Sequence, residues 1–312
     1  MLDTVHSWLS VERAGNGDLL AHVPKYLESV TAHLRPNGSE YLTGQIENLS
    51  VMVSEAGVSA KGSLPKFLFG DNFQLLTRQT SEQAIEKLSD SLGLPFKLAQ
   101  VRRLDIAQSF MVKQESEAYF AYLGHCNHYS RLQQPHTLYY QNGQRVKLFY
   151  NKVEEGKRAG FTIPNVWEGK NVLRYELRYV RNLPKQFNRS EVTLDTLANE
   201  AFYMILIDRW AGEYANIKKQ QSYNFDLSIM KSIKDFERQM YLRGLLSVGN
   251  EQQVLEMIEQ AKREGVFENK MQVKRLKDKV REVFGCSTFQ NGNAELIEEL
   301  DQQVKRVQRF YR

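Results

Sequence analysis

Tyr150 and Lys152 stand two residues apart in VKLFYNKVEEGKR, residues 146–158, a spacing that puts both on one face of a strand. A phenol with a pKa near 10 is ionised in about one molecule in a thousand at pH 7, a deficit of roughly 4 kcal/mol for a phenolate nucleophile. Lys152 offers a cation against that deficit, and a metal ion that made a phosphate more electrophilic would offset more of it. An amphipathic aromatic closing a strand fits the same spacing.

Two other stretches resolve into alternating faces. In RRLDIAQSF, Leu104, Ile106 and Phe110 oppose Arg103, Asp105, Ala107 and Ser109. In VLRYELRY, Leu173, Tyr175, Leu177 and Tyr179 oppose Arg174, Glu176 and Arg178. If the polar lists share a side of one sheet, Asp105 and Glu176 meet among Tyr150, Lys152, Arg174 and Arg178. Two carboxylates with phosphate and water suit a hard cation, Mg²⁺ or Mn²⁺, and such an ion keeps both acids ionised where they would otherwise raise each other's pKa. Any antiparallel sheet with one solvated face alternates in the same way. Of the histidines in GHCNHYSR and PHTLYY, His136 is the candidate third ligand; an H-x-H strand is missing, and H-x-x-H matches no zinc signature.

These residues must be positioned by strands and turns. QIENLSVMVSE, VSAKGSL and PKFLFGDN read as a meander, and SEQAIEKLSDSLGLP as a helix capped by Ser81 and closed by Gly93. FKLAQVRRLDIAQSFMV follows as a strand, then a hairpin about Asn142-Gly143, then NVLRYELRYV. The expectation is an α+β fold, a mixed or antiparallel sheet with packed helices. It occupies residues 1–190 as a catalytic domain, with a helical region over 191–312 for DNA binding or dimer contact.

In that region TLDTLANEAFYMILIDRWAGEYANIKK places Leu197, Phe202, Ile205, Leu206, Trp210 and Tyr214 on an apolar face. The segments IMKSIKDFERQMYLRGLL, NEQQVLEMIEQAKREG, NKMQVKRLKDKVREVFG and NAELIEELDQQVKRVQRF each read as a further helix. The third carries Lys270, Lys274, Arg275, Lys277, Lys279 and Arg281, which suit a phosphate backbone or simply a solvated face.

The 312 residues are 42% hydrophobic and 25% charged, enough for a sizeable core and without a low-complexity tract. A net charge of +5 suits an anionic partner without demanding one. Cys126 and Cys286 have no C-x-x-C spacing and read as free thiols. No apolar run reaches the roughly 20 residues of a spanning helix, so a cytoplasmic protein without a membrane partner is expected.

VRRLDIAQSF, HTLYYQNGQRVKLFYNKVEEGK, NVLRYELRYVRNLPKQFN and AFYMILIDRWAGEY, in that order, resemble the filamentous-phage gene-two/gene-X type of phage and plasmid replication initiators, from about residue 45 to about 220. The resemblance implies an HUH-like nickase fold. It implies a sequence-specific single-strand DNA endonuclease and strand-transferase that starts rolling-circle replication through a 5′-phosphotyrosyl intermediate. It puts the nucleophile at Tyr150 and the acidic metal site at Asp105 and Glu176, with Lys152 and Arg174 or Arg178 near the phosphate. Arg103, Lys274 and Arg275 join the candidate DNA contacts. The expected partners are origin DNA, host helicase and polymerase, and a second copy of the chain. The sequence departs from the better-known HUH nickases in lacking their paired-histidine strand and in having Tyr150-Asn-Lys152 where those have Tyr-x-x-Lys. A non-catalytic DNA-binding regulator and a relaxase-like mobilisation protein are the competing readings.

Overall fold

The structure, a computed structural model, describes residues 1–15, 17–219, 221–223, 230–286, 290–293 and 295–311, with backbone alone for 221–223 and 290–293. Ile229 and Ala294, within two of the expected helices, lie outside the described residues.

Ten strands form one antiparallel sheet. They are β1 (Leu2–Ser10), β2 (Glu28–Leu34), β3 (Glu40–Ile46), β4 (Leu49–Ser54), β5 (Gly57–Ser63), β6 (Gln100–Val112), β8 (Ser130–Gln134), β9 (Thr137–Gln141), β10 (Arg145–Asn151) and β11 (Asn171–Tyr179). Their order across the sheet is β2-β3-β4-β5-β1-β6-β11-β10-β9-β8. The short strands β7 (Leu123–Cys126) and β12 (Ile217–Lys219) pair separately. The first strand of the chain thus lies mid-sheet, between β5 and β6, and brings its side chains to both halves.

One face is apolar. Val5 and Leu9 of β1, Leu104, Ile106 and Phe110 of β6, and Tyr175, Leu177 and Tyr179 of β11 join a core with Phe202, Leu206, Trp210 and Tyr214 of the helix Glu200–Ala215. The Phe149 and Tyr175 rings stack at 4.6 Å and Tyr175 meets Trp210 at 5.0 Å, which ties β10 and β11 to that helix. Ile297, Leu300 and Val304 of the helix Glu295–Phe310 belong to the same core, so it runs past the boundary expected near residue 190. The helices Ile233–Val248, Glu251–Arg263 and Lys270–Phe284 share a second, smaller core around Leu242, Val254, Ile258 and Val280.

Several expectations change. PKFLFGDN is no strand: Ser63 caps a helix Leu64–Phe69, Pro65 sits in its first turn, and Gly70 ends it with φ 85°. The helix expected to start at Ser81 spans Arg78–Leu92, because Thr77 and Thr80 make a reciprocal cap and Ser81 is buried within it. The long helix expected after Thr193 breaks at Asn199, whose side chain caps Glu200–Ala215, and Ile205 on that helix is 41% exposed. At the Asn142-Gly143 hairpin the Asn142 Oδ1 accepts from the backbone N–H of Gln144 and Arg145, at 2.9 and 2.8 Å.

Candidate active site

Residues directly opposed across a sheet share a face. Arg178 faces Asp105, Glu176 faces Ala107 and Arg174 faces Ser109 across β11 and β6. Tyr150 faces Arg174 and Leu148 faces Glu176 across β10 and β11. Asp105, Tyr150, Arg174, Glu176 and Arg178 therefore converge on the side of the sheet opposite the apolar core.

Their contacts form one chain of charge. Tyr150 Oη donates to Glu176 Oε2 at 3.1 Å. Glu176 Oε1 accepts from Arg178 Nε at 2.6 Å, and the same nitrogen lies 3.6 Å from Asp105 Oδ2. Arg103 grips Asp105 with two bonds, Nε to Oδ1 at 2.9 Å and Nη2 to Oδ2 at 2.6 Å. Beside this chain opens a cleft of about 470 Å³ walled by Tyr150, Arg178, His136, Glu154, Glu155 and Arg158, among others. Tyr150 is half-buried, with its ring on the cleft wall.

Lys152 is not on the strand. Asn151 ends β10 and its Oδ1 accepts from the N–H of Val153 and Glu154, both at 3.1 Å, so the chain turns into the helix Lys152–Arg158. Lys152 is 0% exposed. Its Nζ donates to Asn72 Oδ1 at 2.9 Å and to Glu155 Oε2 at 2.5 Å, so the expected placement on the Tyr150 strand face is corrected. Arg174, also buried, donates through Nη2 to Asp3 Oδ2 at 2.5 Å and through Nη1 to the Asn72 carbonyl at 3.2 Å. Asp3, Asn72 and Glu155 thus support the site, and none was singled out from the sequence. Asp3 offered a faint signal, a lone acid among the apolar residues of β1.

The electrostatics follow from burial. Asp105 is 1% exposed, and its carboxyl is pushed up to about 7, first by burial and then by the Glu176 charge, while Arg103 and Arg178 pull it down. Burial raises the Tyr150 phenol well above its ordinary value; Arg174 opposes the shift and Glu176 adds to it. Burial lowers the Lys152 ammonium, and Arg174 lowers it further. Any attack by Tyr150 therefore needs a proton acceptor beside it, and Glu176 occupies that place.

Among the described residues no group of three or more His, Cys, Asp or Glu side chains could hold a metal ion. Asp105 and Glu176 by themselves fit a hard cation in donor chemistry, since Mg²⁺ takes one or two carboxylates and keeps several waters. Arg178 Nε now stands between the two acids, with the positive charge such an ion would bring. His136 is not drawn to them: half-exposed in the turn between β8 and β9, it pairs through Nδ1 with Glu117 Oε1 at 2.9 Å. Lys274 and Arg275 lie exposed on the helix Lys270–Phe284, in the second core unit. Lys274 lines a groove with Lys262, Lys270, Lys277 and Arg281, a stripe from which Arg275 is rotated away. No described helix is long and apolar enough to cross a membrane.

Residues 1–202 match the phage CRI family, described as the N-terminal part of a replication-associated protein of the filamentous-phage gene-II type. The match covers the sheet and the start of the helix that packs on its apolar face. No curated protein matches the chain.

Proposed function

Because the chain belongs to the filamentous-phage gene-II-type replication initiators, we propose that it is a tyrosine DNA nickase and strand-transferase that opens one strand at an origin. On this reading the sheet is an HUH-like nickase fold, and the observation that carries the proposal is the Tyr150–Glu176 hydrogen bond at the wall of an open cleft that Arg158 and Arg178 line together with Glu154 and Glu155.

The phenolic oxygen of Tyr150 attacks the scissile phosphorus. Its proton passes to Glu176 Oε2, the P–O bond to the 3′ oxygen breaks, and that oxygen takes a proton from water. The product is a 5′-phosphotyrosyl diester and a free 3′ hydroxyl. The diester conserves the energy of the cut backbone bond, so a returning 3′ hydroxyl reverses the step and seals a circle. Arg178 and Arg103 face the negative charge that builds on the phosphate oxygens. Buried Lys152 and Arg174 hold the end of β10, and with it the tyrosine, through Asn72, Glu155 and Asp3. A Mg²⁺ or Mn²⁺ ion held by Asp105 and Glu176 would add Lewis-acid charge at that phosphate.

The test is a covalent adduct. The protein is incubated with single-stranded origin DNA and Mg²⁺ or Mn²⁺, then separated on a denaturing gel. An adduct absent from Tyr150→Phe supports the reading; an undiminished adduct in that variant removes Tyr150 as nucleophile. Tight DNA binding with no cleavage under any of these conditions points instead to a regulator that retains the fold.

A further inference from the structure

The polar face that carries Tyr150 continues well beyond β6. His6 faces Arg103 across β1 and β6. Lys61 faces His6 and Ser59 faces Trp8 across β5 and β1. Ser50 and Met52 of β4 follow opposite Lys61 and Ser59. His6 and Trp8 are half-exposed, and Ser50, Lys61 and Arg102 are exposed.

At the β1–β6 junction the register slips: His6 faces Arg103 but Ser7 faces Val101, which leaves Arg102 as the extra residue of a β-bulge. Val101 and Leu104 both point into the core, so Arg102 and Arg103 both project from the polar face. The Arg102 guanidinium lies over the Trp8 ring, 4.7 Å from its centroid. A Cβ at Gly57 would come 2.8 Å from Trp8 Cζ2, so the bare backbone there seats the edge of the indole. Ser59 Oγ holds His6 Nε2 at 2.9 Å alongside. The result is a layered, cationic surface. It lies three strands over and about nine residues along from Tyr150, on the order of 30 Å by ordinary strand dimensions.

Building on the nicking reading, we propose that Trp8 and Arg102 form a stacking platform for an unpaired base of the DNA strand that runs along this face to Tyr150. The outer plane of the guanidinium, backed by the indole, receives the base, while Lys61 flanks the backbone. An aromatic or guanidinium plane takes any base, because every base has a π face. A base inside a duplex has both faces covered by its stacked neighbours and cannot stack there, so the platform selects single strands.

The test uses the full chain carrying Tyr150→Phe, which binds without cutting, and labelled oligo(dT) of about 20 nucleotides, with a duplex of the same length in parallel. Adding Trp8→Ala is expected to weaken oligo(dT) binding about 5- to 100-fold and duplex binding much less. Trp8→Phe keeps most of the affinity and controls for folding. Arg102→Gln, at an exposed position, weakens binding and lowers the salt slope by about one. Unchanged oligo(dT) binding by Trp8→Ala and Arg102→Gln overturns the platform, as does an equal loss on duplex. The nicking reading is judged apart from this, by whether the parent protein with Tyr150 intact forms the adduct on origin DNA. If the parent protein forms no adduct but Trp8→Ala still impairs oligo(dT) binding, nicking fails and the platform stands.

Discussion

Replacing Arg103 with glutamine strips Asp105 of its two-pronged partner while Asp105 stays 1% exposed. The carboxyl already sits at about 7 in the folded protein against an ordinary 3.8, and without the guanidinium it rises further. A carboxyl raised on folding takes up a proton. Its contribution to stability is therefore complete below about pH 3.8 and is lost as pH rises through about 7. In the parent protein the loss stops there, because Asp105 ionises within the Arg103 grip. In Arg103→Gln it goes on accumulating at about 1.4 kcal/mol per pH unit until the new, higher pKa is reached. The pH-dependent part of the destabilisation is thus near zero at pH 5 and grows only above about pH 7, by up to about 1.4 kcal/mol per pH unit. Urea unfolding of both proteins followed by circular dichroism across that range reads it directly. In the Asp105→Asn background the pH dependence should vanish. A destabilisation by Arg103→Gln that stays constant from pH 5 to pH 9 would show that Arg103 does not govern the ionisation of Asp105, and the account of their pairing would be wrong.

Tyr150→Phe removes one hydrogen bond from a half-buried position, so it should abolish the covalent adduct while shifting unfolding by only about 1 kcal/mol; a collapse in thermal stability would make loss of adduct uninformative and refute the placement. Adduct formation in single-turnover assays should fall as pH drops through about 7, where Asp105 takes up its proton, and Arg103→Gln should move that limb upward. On the apolar face, fully buried Lys147 reaches Glu213 at 2.7 Å, so Glu213→Gln should cost about 3–5 kcal/mol by leaving a buried cation unpaired, with much of the loss recovered in a Lys147→Met, Glu213→Gln double variant under urea. Lys274→Ala should lower the salt slope of duplex DNA binding by about one, with a smaller change for Arg275→Ala, since Arg275 is turned away from the cationic groove.

The strands that carry the site were legible because each has one apolar and one polar face. Arg103 and Asp105 alternate with Leu104 and Ile106, and Glu176 with Tyr175 and Leu177, so the side of the strand occupied by each acid was set by a period of two. The helices after residue 193 were legible from their apolar stripes, though the break at Asn199 was hidden within one continuous apolar pattern. Lys152 misled because the alternation of VKLFYNK continues one residue past the strand, while the side chain of Asn151 turns the backbone into a helix.

Local order along the chain thus determined what each face of each strand offers: acids and arginines on one side, aromatic and aliphatic side chains on the other. Tertiary structure decided which strands became neighbours and in what register. A slip of one residue would have sent Glu176 into the core. The sequence contains no local mark that its first strand enters mid-sheet, where Asp3 meets Arg174 across 171 positions and Trp8 meets Arg102 at a bulge. Such pairings arise only when distant segments are packed together and every buried charge must find a partner, a condition imposed by the whole fold and not by any one segment.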